Sequence, residues 1–398
     1  MDINQPLVLL AGLSPAQFMR QYWQKKPLLV RQAIPGFRPL LSRTALCKLA
    51  GCEHVESRLI VQQAKGWRMK QGPIAPRSLP PLSKEGWTLL VQGVDLHDAG
   101  AHALLQQFRF VPDARLDDLM ISFATTGGGV GPHFDSYDVF LLQASGRRRW
   151  KIGRQKDLAL QPDVPLKILQ NFEPDKEFLL EAGDMLYLPP GYAHDGVAEA
   201  AIGTDGKAAD CMTYSIGFRV PIRNELAAEL LHRLAEFSED EARLPRLYRD
   251  PGQPATTTPA ALPAGLVSFA KQAVLEALED PLAIGCALGE CMTEPKPSVL
   301  FEEPQLAWDP DAAKAGQTSV HLDARTRMMY DSDHVFINGE SYRAKGTDAT
   351  FMQRLADQRS LSVRELRKAS VSAIALLGDW HDAGWLRQEQ PEPPGTPT

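Results

Sequence analysis

The sequence predicts a mainly β protein with added helix: an antiparallel barrel or jelly roll at the centre, a helical stretch after it, and a small α+β domain of winged-helix type at the end. Three observations carry this. Between residues 116 and 218, short apolar segments follow one another with little helix between them, each bounded by turn residues. Pro221 then marks a change to a helical stripe made by Leu226, Leu230, Leu231 and Leu234. Beyond Pro295-Lys296-Pro297, short strands and short helices mix. These breaks set expected units of 1–220, 221–294 and 295–388, with a Pro- and Gly-rich tail, 389–398, expected to lack order.

Ser14-Pro15 reads as an N-cap followed by proline at the first helical position, so a helix is expected over 14–24. Residues 27–30 read as a short strand, and a second helix begins at Ser42 and ends at Gly51. The stretch 57–94 reads mostly as strand, with Trp67 and Trp87 as core candidates, and 95–108 as a helix. In the centre, strands are expected at Leu116–Ala124, 137–143, 147–152, 178–180, Met185–Leu188 and Cys211–Phe218. Ala144-Ser145-Gly146 is a hairpin connection whose glycine takes a positive φ. Helices are expected at 224–237, 267–279 and 281–291, with a Pro-, Thr- and Ala-rich loop over 250–265. In the last domain, strands are expected near Val320, Met328, Val335 and Tyr342, and helices at 351–356, 363–368 and 371–377.

The chain has 398 residues, enough for two or three domains around a large core. No apolar run is long enough to span a membrane, and Met1-Asp2-Ile3-Asn4-Gln5-Pro6 opens no secretory leader. Five cysteines without a Cys-x-x-Cys pair make no disulfide framework, which points to a reducing cytoplasm. Cys47 and Cys52 near His54, and Cys286 with Cys291, are too loosely spaced to favour zinc. The net charge of −6 argues against bulk attraction to nucleic acid, so no strong direct nucleic-acid binding is expected; a local basic patch or a basic protein substrate stays open.

The chemistry concentrates in Gly127-Gly128-Gly129-Val130-Gly131-Pro132-His133-Phe134-Asp135 and in Leu188-Pro189-Pro190-Gly191-Tyr192-Ala193-His194. His133 and Asp135 are two apart, so on an extended strand both side chains point to one side. His194 would arrive from a strand that the barrel brings alongside. Two imidazoles and one carboxylate suit Fe(II) and leave positions open for a cosubstrate and dioxygen. A second His-x-Asp, His321-Leu322-Asp323, has neither the glycine-rich lead-in nor the Pro-Pro-Gly-x-x-His segment, and reads as a solvated strand end.

Such a site needs an electron-donating cosubstrate. 2-Oxoglutarate would chelate the iron through its keto-acid end, and its far carboxylate calls for a cation and a hydroxyl. The strand Gly146-Arg147-Arg148-Arg149-Trp150 offers three arginines, and alternation separates Arg148 from Arg147 and Arg149. Arg148 is the expected bidentate partner and Ser122 the hydroxyl, with Arg147 and Arg149 expected on a solvated face. Asp118 and Met120 share the face of Ser122, and Tyr137 continues that of His133 and Asp135. A carboxylate, a thioether and an aromatic ring suit a long cationic side chain, so Asp118, Met120 and Tyr137, with Ser215, are the candidate substrate-binding residues.

The segments Pro132-His133-Phe134-Asp135-Ser136-Tyr137-Asp138-Val139-Phe140, Gly146-Arg147-Arg148-Arg149-Trp150 and Gly183-Asp184-Met185-Leu186-Tyr187-Leu188-Pro189-Pro190-Gly191 resemble the JmjC-type ribosomal oxygenases, above all their bacterial branch of 50S ribosomal protein arginine 3-hydroxylases. Tyr22-Trp23-Gln24-Lys25-Lys26-Pro27-Leu28-Leu29 resembles that family too, and the likeness is strong over roughly residues 15 to 220. The resemblance implies a double-stranded β-helix (jelly-roll, cupin) core, a helical dimerisation region, hence a homodimer, and a winged-helix-like C-terminal domain. It implies hydroxylation of an arginine β-carbon in the sixteenth large-subunit ribosomal protein. It supports His133, Asp135 and His194 as iron ligands and Ser122 and Arg148 as 2-oxoglutarate contacts. Other members act on histidine, and these motifs do not separate the two; Asp118 and Tyr137 favour arginine on physical grounds. The rival readings are a metal cupin with non-oxygenase chemistry, a ribosome-assembly factor with a vestigial barrel, and a small-molecule hydroxylase.

Overall fold

Period-two burial along the central strands divides their side chains between two cores, and that division builds the barrel. Leu119, Ile121, Phe123, Phe140, Leu142, Tyr214 and Ile216 point outward into a core shared with the N-terminal helices. Val139, Leu141, Trp150, Ile152, Leu180, Leu186 and Leu188 point inward, between two sheets. The structure is a computed structural model that describes residues 2–63, 66–201, 209–240, 247–278 and 281–389. The chain divides into two compact units, Met1–Val220 and Pro221–Thr398.

In the first unit, the major sheet runs in the order Leu28–Val30, Met185–Leu188, Val139–Ser145, Cys211–Phe218, Leu116–Ala124, Trp87–Val91, Ser57–Gln63, Gly66–Gln71. The minor sheet runs His133–Phe134, Ala193–Glu199, Arg147–Gly153, Lys176–Glu181. All pairings are antiparallel, as expected for a jelly roll. Helices Pro15–Gln21 and Arg43–Leu49 cover the outer face. Ser14 and Ser42 cap them by accepting from the backbone N–H of Gln17 and Ala45, worth about 1 kcal/mol each. Phe18 anchors the first helix with its ring 5.0 Å from Tyr187 and 5.4 Å from Phe140.

Several elements depart from the sequence reading. The helix expected over 95–108 is split into a 3₁₀ turn, Val94–Leu96, and a helix, Ala99–Gln106, because Asp98 accepts from Ala101 N–H at 2.8 Å and restarts it as an N-cap. The strand that brings His194 alongside His133 is Ala193–Glu199; its extent is not visible in the local pattern, because Asp195-Gly196 is a turn signal, overridden by pairing on both sides with His133–Phe134 and Arg147–Gly153. The helix Pro310–Ala315 was missed, although Asp309-Pro310 carries the cap signal. Trp87 is a core residue, but Trp67 lies on the edge strand and is only half-buried.

In the second unit, helices Arg223–Asp240, Ala264–Leu278 and Pro281–Thr293 precede two three-stranded sheets. Helix Pro281–Thr293 lies against the strand His334–Ile337, where a side chain at Gly289 would meet the Phe336 ring at 2.4 Å. Helices Gly346–Gln358 and Val371–Asp382 enclose a core containing Leu355, Leu377 and Trp380. Residues 390–398 of the expected disordered tail lie outside the described residues. Among those described, no helix is long and apolar enough to cross a membrane.

Candidate metal centre and cosubstrate pocket

Two backbone links join the motif segments. His133 and His194 are direct cross-strand partners, and Gly191 N–H donates to the Asp135 carbonyl at 2.8 Å. Gly129 lets the glycine-rich loop come close: a Cβ there would meet the Gly196 carbonyl at 2.6 Å.

The imidazoles of His133 and His194 lie with centroids 4.2 Å apart, and His194 Nε2 is 3.7 Å from Asp135 Oδ2. One ligand atom from each of the three residues falls within 4.8 Å of the others, and among the described residues this is the one His/Cys/Asp/Glu cluster so arranged. Each ring is oriented by a backbone carbonyl two residues earlier: His133 Nδ1 lies 2.9 Å from Gly131 O and His194 Nδ1 2.9 Å from Tyr192 O. With Nδ1–H donating there, both Nε2 lone pairs are free for a metal. Burial, reinforced by the neighbouring His133, pushes His194 down to about 4, so it stays a neutral ligand at physiological pH. The donor set fits a divalent iron. The Cys47, Cys52 and His54 group makes no such cluster, and His54 packs against His97 instead.

Arg148 is 4% exposed, and its Nε and Nη2 have no hydrogen-bond partner. A buried guanidinium with open donors is costly unless an anion completes it. Its Cζ lies 5.7 Å over the Trp150 ring, whose centroid is 5.8 Å from that of His194, so the three line one inner wall. Gly196 admits the Trp150 ring; a Cβ there would meet it at 2.5 Å. Arg148 pairs with Ala198, four residues from His194 on one strand. That is about 13 Å of strand, a span that an arginine side chain and a five-carbon diacid can share. Arg147 and Arg149 point the other way, but they are not simply solvated: Arg149 bridges Glu177 and Glu199, and Arg147 donates to Ala200 O at 2.7 Å.

Ser122 is buried on the inner face of the major sheet, its hydroxyl 3.3 Å from Thr213 O. The neighbouring Thr213 donates to Gln143 Oε1 at 2.9 Å, adding two inner-wall polar residues that the sequence reading missed. Ser215, 8% exposed, is the cross-strand partner of Met120. Asp118 is buried and accepts from Gly93 N–H at 3.0 Å. Tyr137 is 40% exposed and hydrogen-bonds to Asp135; burial of its phenol, then the Asp135 and Asp118 carboxylates, hold it well above the usual tyrosine range. Asp118 and Asp135 thus both act on the neutral Tyr137 phenol, opposed by Arg58, and Met120 and Ser215 pair across the strands beside Asp118.

Asp138 is the positioning residue that sequence reasoning missed. Fully buried, it accepts from Tyr187 Oη at 2.6 Å and Gln24 Nε2 at 3.0 Å, with Arg115 Nη2 3.6 Å away. It thereby fixes the bend that carries Asp135 and Tyr137. Its partners come from residues 24, 115 and 187, so no local pattern announces it.

The JmjC domain family matches residues 103–226, and the ROXA-like winged helix family matches residues 276–387. Among curated proteins, the chain is 34% identical over 375 residues to the ribosomal protein uL16 3-hydroxylase of Escherichia coli K12, covering 92% of this chain and 96% of that one. Among solved structures, it is similar to the X-ray structure of E. coli YcfD, with a TM-score of 0.79 and 31% identity, over 94% of this chain and 98% of that one. It is also similar to YcfD, a ribosomal oxygenase, in complex with cobalt and 2-oxoglutarate, with a TM-score of 0.78 and 29% identity over the same shares of the two chains. A jelly roll carrying a His-x-Asp…His cluster and a buried open arginine, followed by a winged helix, agrees with these likenesses along nearly the whole chain, which belongs to the JmjC-type ribosomal oxygenases.

Proposed function

We propose that this protein is an Fe(II)- and 2-oxoglutarate-dependent dioxygenase that hydroxylates the β-carbon of an arginine in the large-subunit ribosomal protein uL16. The observation that carries the reading is the metal cluster with the buried, open Arg148 guanidinium along the same inner wall. His133, Asp135 and His194 hold the metal; Arg148, with Ser122, takes the far carboxylate of 2-oxoglutarate. The chemistry that bound iron supplies is oxidative decarboxylation of 2-oxoglutarate by dioxygen, which yields succinate and carbon dioxide and delivers the second oxygen atom to a substrate C–H bond.

The rest falls to the chain's own side chains. Val139, Leu141, Ile152 and Leu188 make the inner wall apolar and keep water from the reacting centre. At the rim, Asp118 and the Asp135-bound Tyr137 present negative charge and ring face to a guanidinium, while Met120 and Ser215 flank its methylene stem. This arrangement holds the target C–H bond at a fixed distance from the metal. It favours arginine over histidine, whose ordinary pKa leaves it largely neutral at physiological pH.

Residues 221–294 are assigned to dimer contact and 295–388 to the winged-helix domain. Exposed apolar side chains on the helices, including Leu231, Val274 and Leu275, support a homodimer. The substrate implies a cytoplasmic setting. The test is tandem mass spectrometry of uL16 after incubation with the protein, Fe(II), 2-oxoglutarate and air. One oxygen on an arginine β-carbon is expected; oxygen on a histidine of another ribosomal protein would contradict the arginine assignment. Asp118→Ala is expected to lose hydroxylated uL16 while keeping 2-oxoglutarate affinity.

A further inference from the structure

From residue 57 to residue 84 the sequence carries Arg58, Lys65, Arg68, Lys70, Arg77 and Lys84 and not one Asp or Glu, although acids outnumber Lys and Arg in the whole chain, 49 to 43. The fold gathers part of this charge. Val61 pairs with Arg68 and Leu59 with Lys70 across the Ser57–Gln63 and Gly66–Gln71 hairpin, so these four side chains share one face. Together with Lys84 and Ser78 they line a groove of about 280 Å³, and no carboxylate lines it among the described residues. Leu59 and Val61 form its floor, and Arg68, Lys70 and Lys84 are exposed.

We propose that this groove binds the phosphate backbone of RNA. The guanidinium of Arg68 matches phosphate geometry, the two ammonium groups add point charge, and Ser78 adds a hydroxyl. Lysines on an edge strand also deter sheet-to-sheet pairing, but that role is met by either sign of charge and does not exclude acids from the whole segment. The same edge strand links the groove to the candidate site. Trp67 points to the opposite face, where a Cβ on Gly131 would meet its ring at 3.0 Å, two residues before His133. RNA in the groove therefore lies one sheet thickness from the metal loop. Resting on the proposed ribosomal substrate, this implies that the enzyme engages that protein together with RNA.

Binding of a fluorescein-labelled oligouridine, followed by fluorescence anisotropy at a series of salt concentrations, tests this independently of turnover. Three phosphate contacts predict a slope of log K against log salt of about −2, so affinity falls about twentyfold for a fourfold rise in salt. The combined variant Arg68→Gln, Lys70→Gln, Lys84→Gln is expected to lose that affinity and slope, with its circular dichroism and its turnover of isolated uL16 unchanged. Undiminished RNA binding by this variant, no binding by the parent at low salt, or equal affinity for polyglutamate would overturn the proposal. Failure of uL16 hydroxylation with salt-dependent RNA binding intact would instead count against the substrate reading alone.

Discussion

The molecule contains two His-x-Asp sequences, and the structure gives them opposite fates. His133 faces a second imidazole, His194, across the strand, and the Gly191 N–H holds the Asp135 backbone in line after its strand has ended. His321 faces Ser360 and Arg387, is 46% exposed, and lies 3.7 Å from Glu389. Its strand ends at Leu322, so Asp323 turns inward while His321 stays outside. Buried there, Asp323 accepts from Arg325 Nε at 2.8 Å, Arg325 N at 2.9 Å and Arg387 Nη2 at 2.9 Å. One carboxylate is left open for a metal; the other is committed to holding two arginines. The tripeptide pattern is the same, and the cross-strand neighbour decides the chemistry.

The largest expected effect is on turnover. His133→Ala or Asp135→Ala should abolish 2-oxoglutarate-coupled hydroxylation, whereas His321→Ala should leave it unchanged. Succinate release measured beside product formation reads both; coupled turnover that survives His133→Ala, or is lost in His321→Ala, would contradict the assignment.

The next effect is on cosubstrate binding, at Arg148. Arg148→Met should weaken 2-oxoglutarate about a hundredfold, the loss of a charge-assisted pair. Without cosubstrate, the same variant should be more stable than the parent by about 1–2 kcal/mol, because a buried cation with two open donors is replaced by an apolar chain. Thermal melts with and without 2-oxoglutarate read both effects. An Arg148→Met protein that is destabilised and still responds fully to 2-oxoglutarate would remove Arg148 from the site.

The smaller effects concern Asp323. Asp323→Ala should destabilise the second unit by about 2–3 kcal/mol through loss of charged hydrogen bonds, without loss of turnover per folded molecule. Hydrogen exchange over residues 319–389 would register it. Burial alone would raise this carboxyl, but the Arg325 and Arg387 contacts outweigh it and hold it below the ordinary value of 3.8. Its stabilisation is therefore complete above 3.8 and is lost as pH falls through the lower folded value. A parent protein and Asp323→Ala that lose stability in parallel across that acid window would contradict this assignment.

Much of this contrast was legible in the sequence. The glycine-rich lead-in and the Pro-Pro-Gly-x-x-His segment marked the first His-x-Asp and were missing from the second, and strand alternation alone separated Arg148 from its two neighbours. The reading was incomplete where partners come from far away. Asp138 looks like an ordinary acid until Gln24, Arg115 and Tyr187 converge on it. A strand at His194 follows from the site itself, but its run on to Glu199 is masked by Asp195-Gly196, whose local turn preference loses to ladders on both sides. The expectation of a solvated strand end at His321-Leu322-Asp323 holds for His321 but not for Asp323, which is buried and held by Arg325 and by Arg387, 64 residues away.

The most direct measurement is intact-mass spectrometry of large-subunit ribosomal proteins incubated with the protein, Fe(II), 2-oxoglutarate and air, run in parallel with Asp135→Ala and Asp323→Ala. A one-oxygen gain on uL16 with the parent and with Asp323→Ala, absent with Asp135→Ala, is the predicted result. A gain that survives Asp135→Ala, or no gain with the metal-loaded parent, would contradict the account.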